Sequence, residues 1–146
     1  MKFKDFVENN NLERADYRSD VPFNELLGKT LIKVEKVDEE NLYFEFEDCI
    51  YLMHHWWDCC EIVEIEDICG DLRDLVGYPI LLAEESTNRE DNPKDKEWEE
   101  SFTWTFYKLA TRKGYVDIRW FGSSNGYYSE SVEIRFTPSD EVTHNV

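Results

Sequence analysis

The chain has 146 residues, enough for one domain with one continuous core. A formal charge of −17, from 33 acidic and 16 basic residues, argues against direct binding to nucleic acid or anionic membrane. With 41% hydrophobic and 15% aromatic residues it is too apolar for intrinsic disorder, and no apolar run reaches the ~18 residues of a membrane-spanning helix.

Residues 1–27 read as an N-terminal extension with short helices. Met1 to Asp5 lacks the apolar segment of a secretory leader, which sets the expectation of a cytoplasmic protein. Cys49, Cys59, Cys60 and Cys69 are then expected as reduced thiols. Phe3 and Phe6 are spaced for one helical turn, and Pro22 precedes a second turn through Phe23-Asn24-Glu25-Leu26-Leu27 that stops at Gly28.

From Thr30 the period changes to two. Ile32 and Val34 alternate with Lys33 and Glu35, and Leu42, Phe44 and Phe46 alternate with Tyr43, Glu45 and Glu47. Asp38-Glu39-Glu40-Asn41 joins these runs as a hairpin turn, and Glu47-Asp48-Cys49 leads into Ile50 to His54, completing a three-stranded meander. A further strand runs through Ile62-Val63-Glu64-Ile65, a short helix sits around Asp71 to Leu75, and Pro79 to Ala83 forms a short buried strand. Residues 85–100 read as an exposed loop within the domain. Phe102, Trp104 and Phe106 then alternate with Thr103, Thr105 and Tyr107, and Val116 to Trp120 follows a turn at Gly114. Asn125-Gly126 is a strong hairpin signal and predicts that Tyr128 to Phe136 folds back as the last strand of a second meander. The expected class is α+β: a predominantly antiparallel sheet of two β-meanders, curled towards a barrel, with short helical insertions over residues 28–137. Residues 138–146 read as a frayed tail.

Two segments carry a resemblance. Asp58-Cys59-Cys60-Glu61 continues to Glu66-Asp67-Ile68-Cys69-Gly70-Asp71-Leu72, and Trp104 to Thr111 continues to the stretch Trp120 to Val132 with its Ser-Asn-Gly-Tyr-Tyr-Ser-Glu-Ser core. Over roughly residues 28–136 the chain resembles a small family of unassigned function met in bacteriophage genomes and bacterial mobile elements. Where such members often carry an Asp-Gly turn, this chain has Asp48-Cys49. The resemblance implies a phage-type accessory protein acting in the host cytoplasm, and brings no activity with it.

Candidate chemistry is thin. His54, His55, Cys59, Cys60 and Cys69 are the right types for zinc, but adjacent pairs do not match the C-x₂₋₄-C spacing that lets two thiolates converge on one ion, so neither metal nor cofactor is expected. Cys59 or Cys60 as a nucleophile would sit among Asp58, Glu61 and Glu64, whose field raises a thiol pKa. With 33 acids in the chain, close carboxylate pairs arise by chance, and no phosphate-cradling or nucleophile-elbow motif is present. No catalytic residue is assigned.

Two binding readings remain. Residues 35–74 hold fourteen acids and two cations, a net −12. Glu45, Glu47, Asp58, Glu61, Glu64, Glu66 and Asp67 are expected to form an anionic face that mimics nucleic acid and docks on a basic host protein, a nuclease or other defence component. A solvated acidic surface that aids solubility is the plainer account of the same residues. The alternative is a small-molecule or nucleotide pocket built from Trp104, Arg119, Trp120, Asn125, Tyr127, Tyr128 and Ser129, where flat rings and short polar groups converge. An ordinary hairpin explains that stretch without a ligand. Homo-oligomerisation is left open.

Overall fold

The computed structural model describes residues 18, 20–57, 59–91, 101–125 and 129–138. The segment around Phe3 and Phe6 and residues 139–146 lie outside the described residues.

The Asp38 turn shows how the first hairpin forms. Its carboxylate accepts from the Glu40 backbone N–H at 2.8 Å and from the Asn41 side chain at 2.9 Å, so one short side chain fixes the reversal. It joins β1 (Leu31–Asp38) to β2 (Asn41–Phe46), and a two-residue connection leads to β3 (Cys49–His54). All six residues of β3 are buried, the signature of a central strand that needs a partner on each side. The second partner is β8 (Glu133–Pro138), paired antiparallel with β3 from Cys49↔Pro138 to His54↔Glu133. The first sheet therefore has the order β1-β2-β3-β8.

That pairing corrects the expected second meander. Gly126 of the expected Asn125-Gly126 turn lies outside the described residues; the last strand pairs in the other sheet instead of beside its neighbour in sequence, and Ile134 joins the core beside Met53. The second sheet has the order β4-β7-β6-β5, made of β4 (Ile62–Cys69), β5 (Leu82–Asp91), β6 (Ser101–Thr111) and β7 (Gly114–Ser124). β5 pairs with β6 from Leu82↔Ala110 to Asp91↔Ser101, so residues 85–91, expected as loop, are an edge strand. Its charged and polar residues suit an edge, where they discourage further strand addition.

The two sheets share one hydrophobic core but do not close into a barrel. Leu42, Phe44, Tyr51, Met53 and Ile134 from the first meet Val63, Ile65, Tyr107, Leu109, Ile118 and Trp120 from the second. Among the described residues the helical content is two single 3₁₀ turns, Phe23–Leu26 and Leu72–Leu75, each too short for a stable α-helix. The class is mainly β, not α+β. Phe23 bridges the sheets, 4.7 Å from the Tyr107 ring and 6.5 Å from Phe44, so the core takes in Val21, Phe23 and Leu26.

Candidate functional site

Alternation decides what the second sheet shows outward. On β6, Thr105, Tyr107 and Leu109 are buried towards the first sheet, which turns Phe102, Trp104 and Phe106 to the opposite side as half-buried rings. On β7, Val116, Ile118 and Trp120 point inward and Arg119 and Phe121 outward. The outward rings touch: Phe121 lies 4.7 Å from Trp104 and 5.8 Å, stacked, from Phe102. Arg119 places its guanidinium 5.6 Å from the Trp104 ring while bonding Glu66 at 3.2 Å. Ile62, 57% exposed, extends this apolar strip on β4, and Trp57, 67% exposed, is held beside it by donating from its indole N–H to the Glu61 carbonyl at 3.1 Å.

The margin of this strip is acidic. β4 presents Glu64 and Glu66 outward, and a bulge between Ile65 and Asp67 leaves Asp67 exposed as well. The free edge of β4 is capped by the first hairpin turn, where the Ile65 N–H donates to the Glu39 carbonyl at 2.6 Å. That contact brings the Asp38-Glu39-Glu40 turn to the β4 edge. Lys36 neutralises Glu39 at 3.0 Å, whereas Glu64 has no ion-pair partner among the described residues.

The seven acids expected to form one face are divided by the fold. Glu64, Glu66 and Asp67 share β4; Glu45 lies on β2 of the first sheet, where Lys33 stands opposite it and reaches Glu35 at 3.7 Å, and Glu47 sits in the connection from β2 to β3. Asp58 lies outside the described residues. Glu61 is buried, with its carboxylate 3.1 Å from His55 Nε2 and accepting from the Cys59 N–H at 3.2 Å. Because the Ser131 carbonyl can only accept, the 2.7 Å contact at His55 Nδ1 places a proton there, and the other ring nitrogen, Nε2, faces the Glu61 carboxylate. Glu61 is thus an anchor for the 55–61 loop.

The ligand-pocket set is divided too. Trp104 and Arg119 share the outer face, while Trp120 is 1% exposed on the core side. Asn125 and Ser129 are exposed beyond the end of β7, and Tyr127 and Tyr128 lie outside the described residues. Nearby, Glu130 is buried and accepts from Ser101 and Ser124 at 2.5 Å each and from Thr103 at 2.9 Å, a knot that ties the segment after β7 to β6. Phe102, Phe106, Phe121 and Ile62 were not singled out from sequence. Their signal was available in β6, where Tyr107 extends to Leu109 on one side of the strand.

Among the described residues Cys49 and Cys69 stand apart from each other in environment. Burial pushes the Cys49 thiol up to about 12, and a hydrogen bond to Asp67 raises that of Cys69. Cys59 and Cys60 stand side by side and exposed on the loop after Trp57, with their sulfur atoms in contact. Among the described residues no group of three or more His, Cys, Asp or Glu side chains is placed to hold a metal ion, and no helix is long and apolar enough to cross a membrane.

A family model described as a domain of unknown function, DUF7448, matches residues 24–134, most of the two-sheet body. The chain belongs to the DUF7448 family. The DUF7448 match starts within the Phe23–Leu26 turn, the point where the N-terminal segment enters the shared core. No curated protein and no solved structure matches the chain.

Proposed function

We propose that this protein acts by binding, without catalysis of its own, and that the outer face of the second sheet docks a basic segment of another protein. The observation that carries this reading is the run of touching rings, Phe102, Phe121 and Trp104, continued by exposed Ile62 and Trp57 and bordered by Glu64, Glu66 and Asp67. Apolar area supplies affinity, and the acidic margin selects the partner's sign and speeds encounter. Arg119 over Trp104 is an internal example of how a partner's arginine would sit, over a ring with a carboxylate beside it.

The partner class we infer is a bacterial host protein with a basic nucleic-acid-binding surface, a nuclease or other defence component, which this phage-type accessory protein would inhibit by occupancy. Support comes from the charge of −17 and from the resemblance to proteins of phage and mobile elements. Competition measures it. With fluorescein-labelled duplex bound to a panel of basic DNA-binding domains, the protein is expected to displace the duplex from at least one domain. Displacement should fade as salt rises, since exposed charges are screened over ~8–10 Å. Glu64→Lys with Glu66→Lys, or Trp104→Ala with Phe121→Ala, is expected to weaken displacement about tenfold or more, corresponding to ~1.4 kcal/mol or more. Glu45→Lys with Glu47→Lys serves as the charge-matched control on the other sheet. Equal losses from the two charge reversals would mean that acidity alone matters, and no displacement of any domain would remove the reading.

A further inference from the structure

The outward side of the first sheet is closed where that of the second is open. On β2, β3 and β8, Phe44, Tyr51, Met53 and Ile134 go into the shared core, so alternation sends Tyr43, Ile50, Leu52 and Arg135 to the other side. They are neighbours there, since Leu52 pairs with Tyr43 on one flank and with Arg135 on the other. We propose that residues 1–17 of this chain lie across that face as its cover, with Phe3 and Phe6 seated on Ile50 and Leu52.

Burial carries the inference. Tyr43 is 3% exposed, Ile50 6% and Leu52 7%, yet all three stand outside the cluster that forms the core. The corresponding face of the second sheet leaves its rings half-buried and Ile62 at 57%. Among the described elements, those that meet β3 most closely are β2 and β8, both in its own sheet, and they cannot shield its outward side chains from above. Trp56 covers one end only, with the Arg135 guanidinium 3.9 Å from its ring and His54 edge-on to it.

Position, length and composition choose the segment. Arg18 and Phe136 exchange backbone hydrogen bonds at 3.1 and 2.8 Å, and the Val21 N–H donates to the Ile134 carbonyl at 2.9 Å. The chain before Arg18 therefore starts at the β8 edge that borders this face. Arg18 is fixed there by its ion pair with Glu25 at 2.9 Å and by lying 4.4 Å over the Phe136 ring. Crossing the four strands takes ~14 Å, three spacings of ~4.8 Å, and a segment of this length reaches ~25 Å even when helical. Phe3, Phe6 and Val7 follow the i, i+3, i+4 spacing of one apolar face, and Lys2 and Lys4 beside them suit Glu45, which pairs with Ile50. Residues 139–146, which also leave from β8, offer only Val142 and Val146 as apolar side chains. With the first sheet covered by its own chain, an incoming partner meets the second.

NMR of the full-length protein with labelled Ile, Leu and Val methyls tests the cover. Nuclear Overhauser contacts are expected from the Phe3 and Phe6 ring protons to the Ile50 and Leu52 methyls, and none to Ile65 or Ile118 of the core. In the full chain carrying Phe3→Ala with Phe6→Ala, the Ile50 and Leu52 methyl resonances are expected to shift. Those of Ile65 and Ile118 should hold, which reports an intact core. Absence of the ring contacts in the parent would overturn the proposal whether or not the variant folds, and so would Ile50 and Leu52 resonances that the variant leaves unmoved. Contacts from Val142 in their place would make residues 139–146 the cover, and contacts seen only between labelled and unlabelled copies would seat a second copy there; either result overturns the assignment. The duplex-displacement test reads the second sheet, and its failure leaves this result standing.

Discussion

Gly70→Ala is expected to destabilise the protein by about 3–5 kcal/mol, a large part of the ~5–15 kcal/mol of a typical domain. Gly70 ends β4 at φ +103°, a conformation that L side chains rarely adopt, and a Cβ there would overlap the backbone oxygen of Tyr115 at the start of β7. The backbone preference alone accounts for ~1–2 kcal/mol. The overlap adds more, because a carbonyl in a paired strand cannot rotate away as a flexible side chain could. Gly77→Ala separates the two contributions: its φ is +90°, but nothing lies within 4 Å of the added methyl. That variant should therefore lose only the backbone part, about 1–2 kcal/mol. Urea unfolding of both variants against the parent checks the pair. Equal losses would mean that the close approach of β4 to β7 at Gly70 is not there.

Acid should uncover His54. The side chain is buried on β3, edge-on to the Trp56 ring at 5.4 Å, and Arg135 lies with its guanidinium 3.9 Å over that ring. Burial, then the nearby charges of Arg135 and His55, bring its pKa down to about 3. The unfolded histidine titrates near ~6.5. A group whose folded pKa lies below its unfolded value stabilises fully above the unfolded value. That stability is lost as pH falls from about 6.5, because only the unfolded chain then takes the proton, and the loss levels off near 3. Between pH 7 and pH 4 the difference is about 3 kcal/mol at ~1.4 kcal/mol per pH unit. His54→Leu removes this proton uptake and leaves the carboxylates as they were. Unfolding free energies at pH 7, 5.5 and 4 should therefore converge, the parent losing about 3 kcal/mol more than the variant. Parallel curves would show that His54 is solvated in the folded protein.

The first meander was legible because its signals are local. Asp38 and Asn41 make the turn, and the alternation of Leu42, Phe44 and Phe46 fixes the inner face. The second half depended on a choice between partners. Asn125-Gly126 favours a hairpin by local conformation, but β3 carries an unbroken apolar run from Cys49 to Met53 and needs strands on both sides. Pairing β8 with β3 satisfies that central strand and buries Ile134, and a turn preference of a few tenths of a kcal/mol to ~1 kcal/mol cannot compete with a whole strand of hydrogen bonds. The helices were over-read because four residues of amphipathic spacing look alike in a 3₁₀ turn and in the start of an α-helix.

The candidate face was half legible. Glu64 and Glu66 alternate with Val63 and Ile65, so their outward direction follows from sequence. Glu61 looks like another surface acid until His55 is seen to fold back on it, a contact that depends on the path of the 55–61 loop. β6 faces opposite to what its composition suggests. Its more aromatic side, Phe102, Trp104 and Phe106, turns outward, while Thr105 and Tyr107 go inward with Leu109. Apolar content alone assigns that strand backwards, and the inversion leaves a row of rings beside the acids of β4.

In the proposal made above, a basic partner sits on this outward, ring-bearing face. NMR titration of the labelled protein with an unlabelled basic DNA-binding domain, at about 0.1 M salt, tests it most directly. The predicted result is a saturable set of shifts at Ile62, Glu64, Glu66, Phe102 and Phe121, with the Trp104 indole resonance moving most. Shifts centred on Glu45 and Glu47 of the first sheet, with the Trp104 indole unmoved, would contradict it.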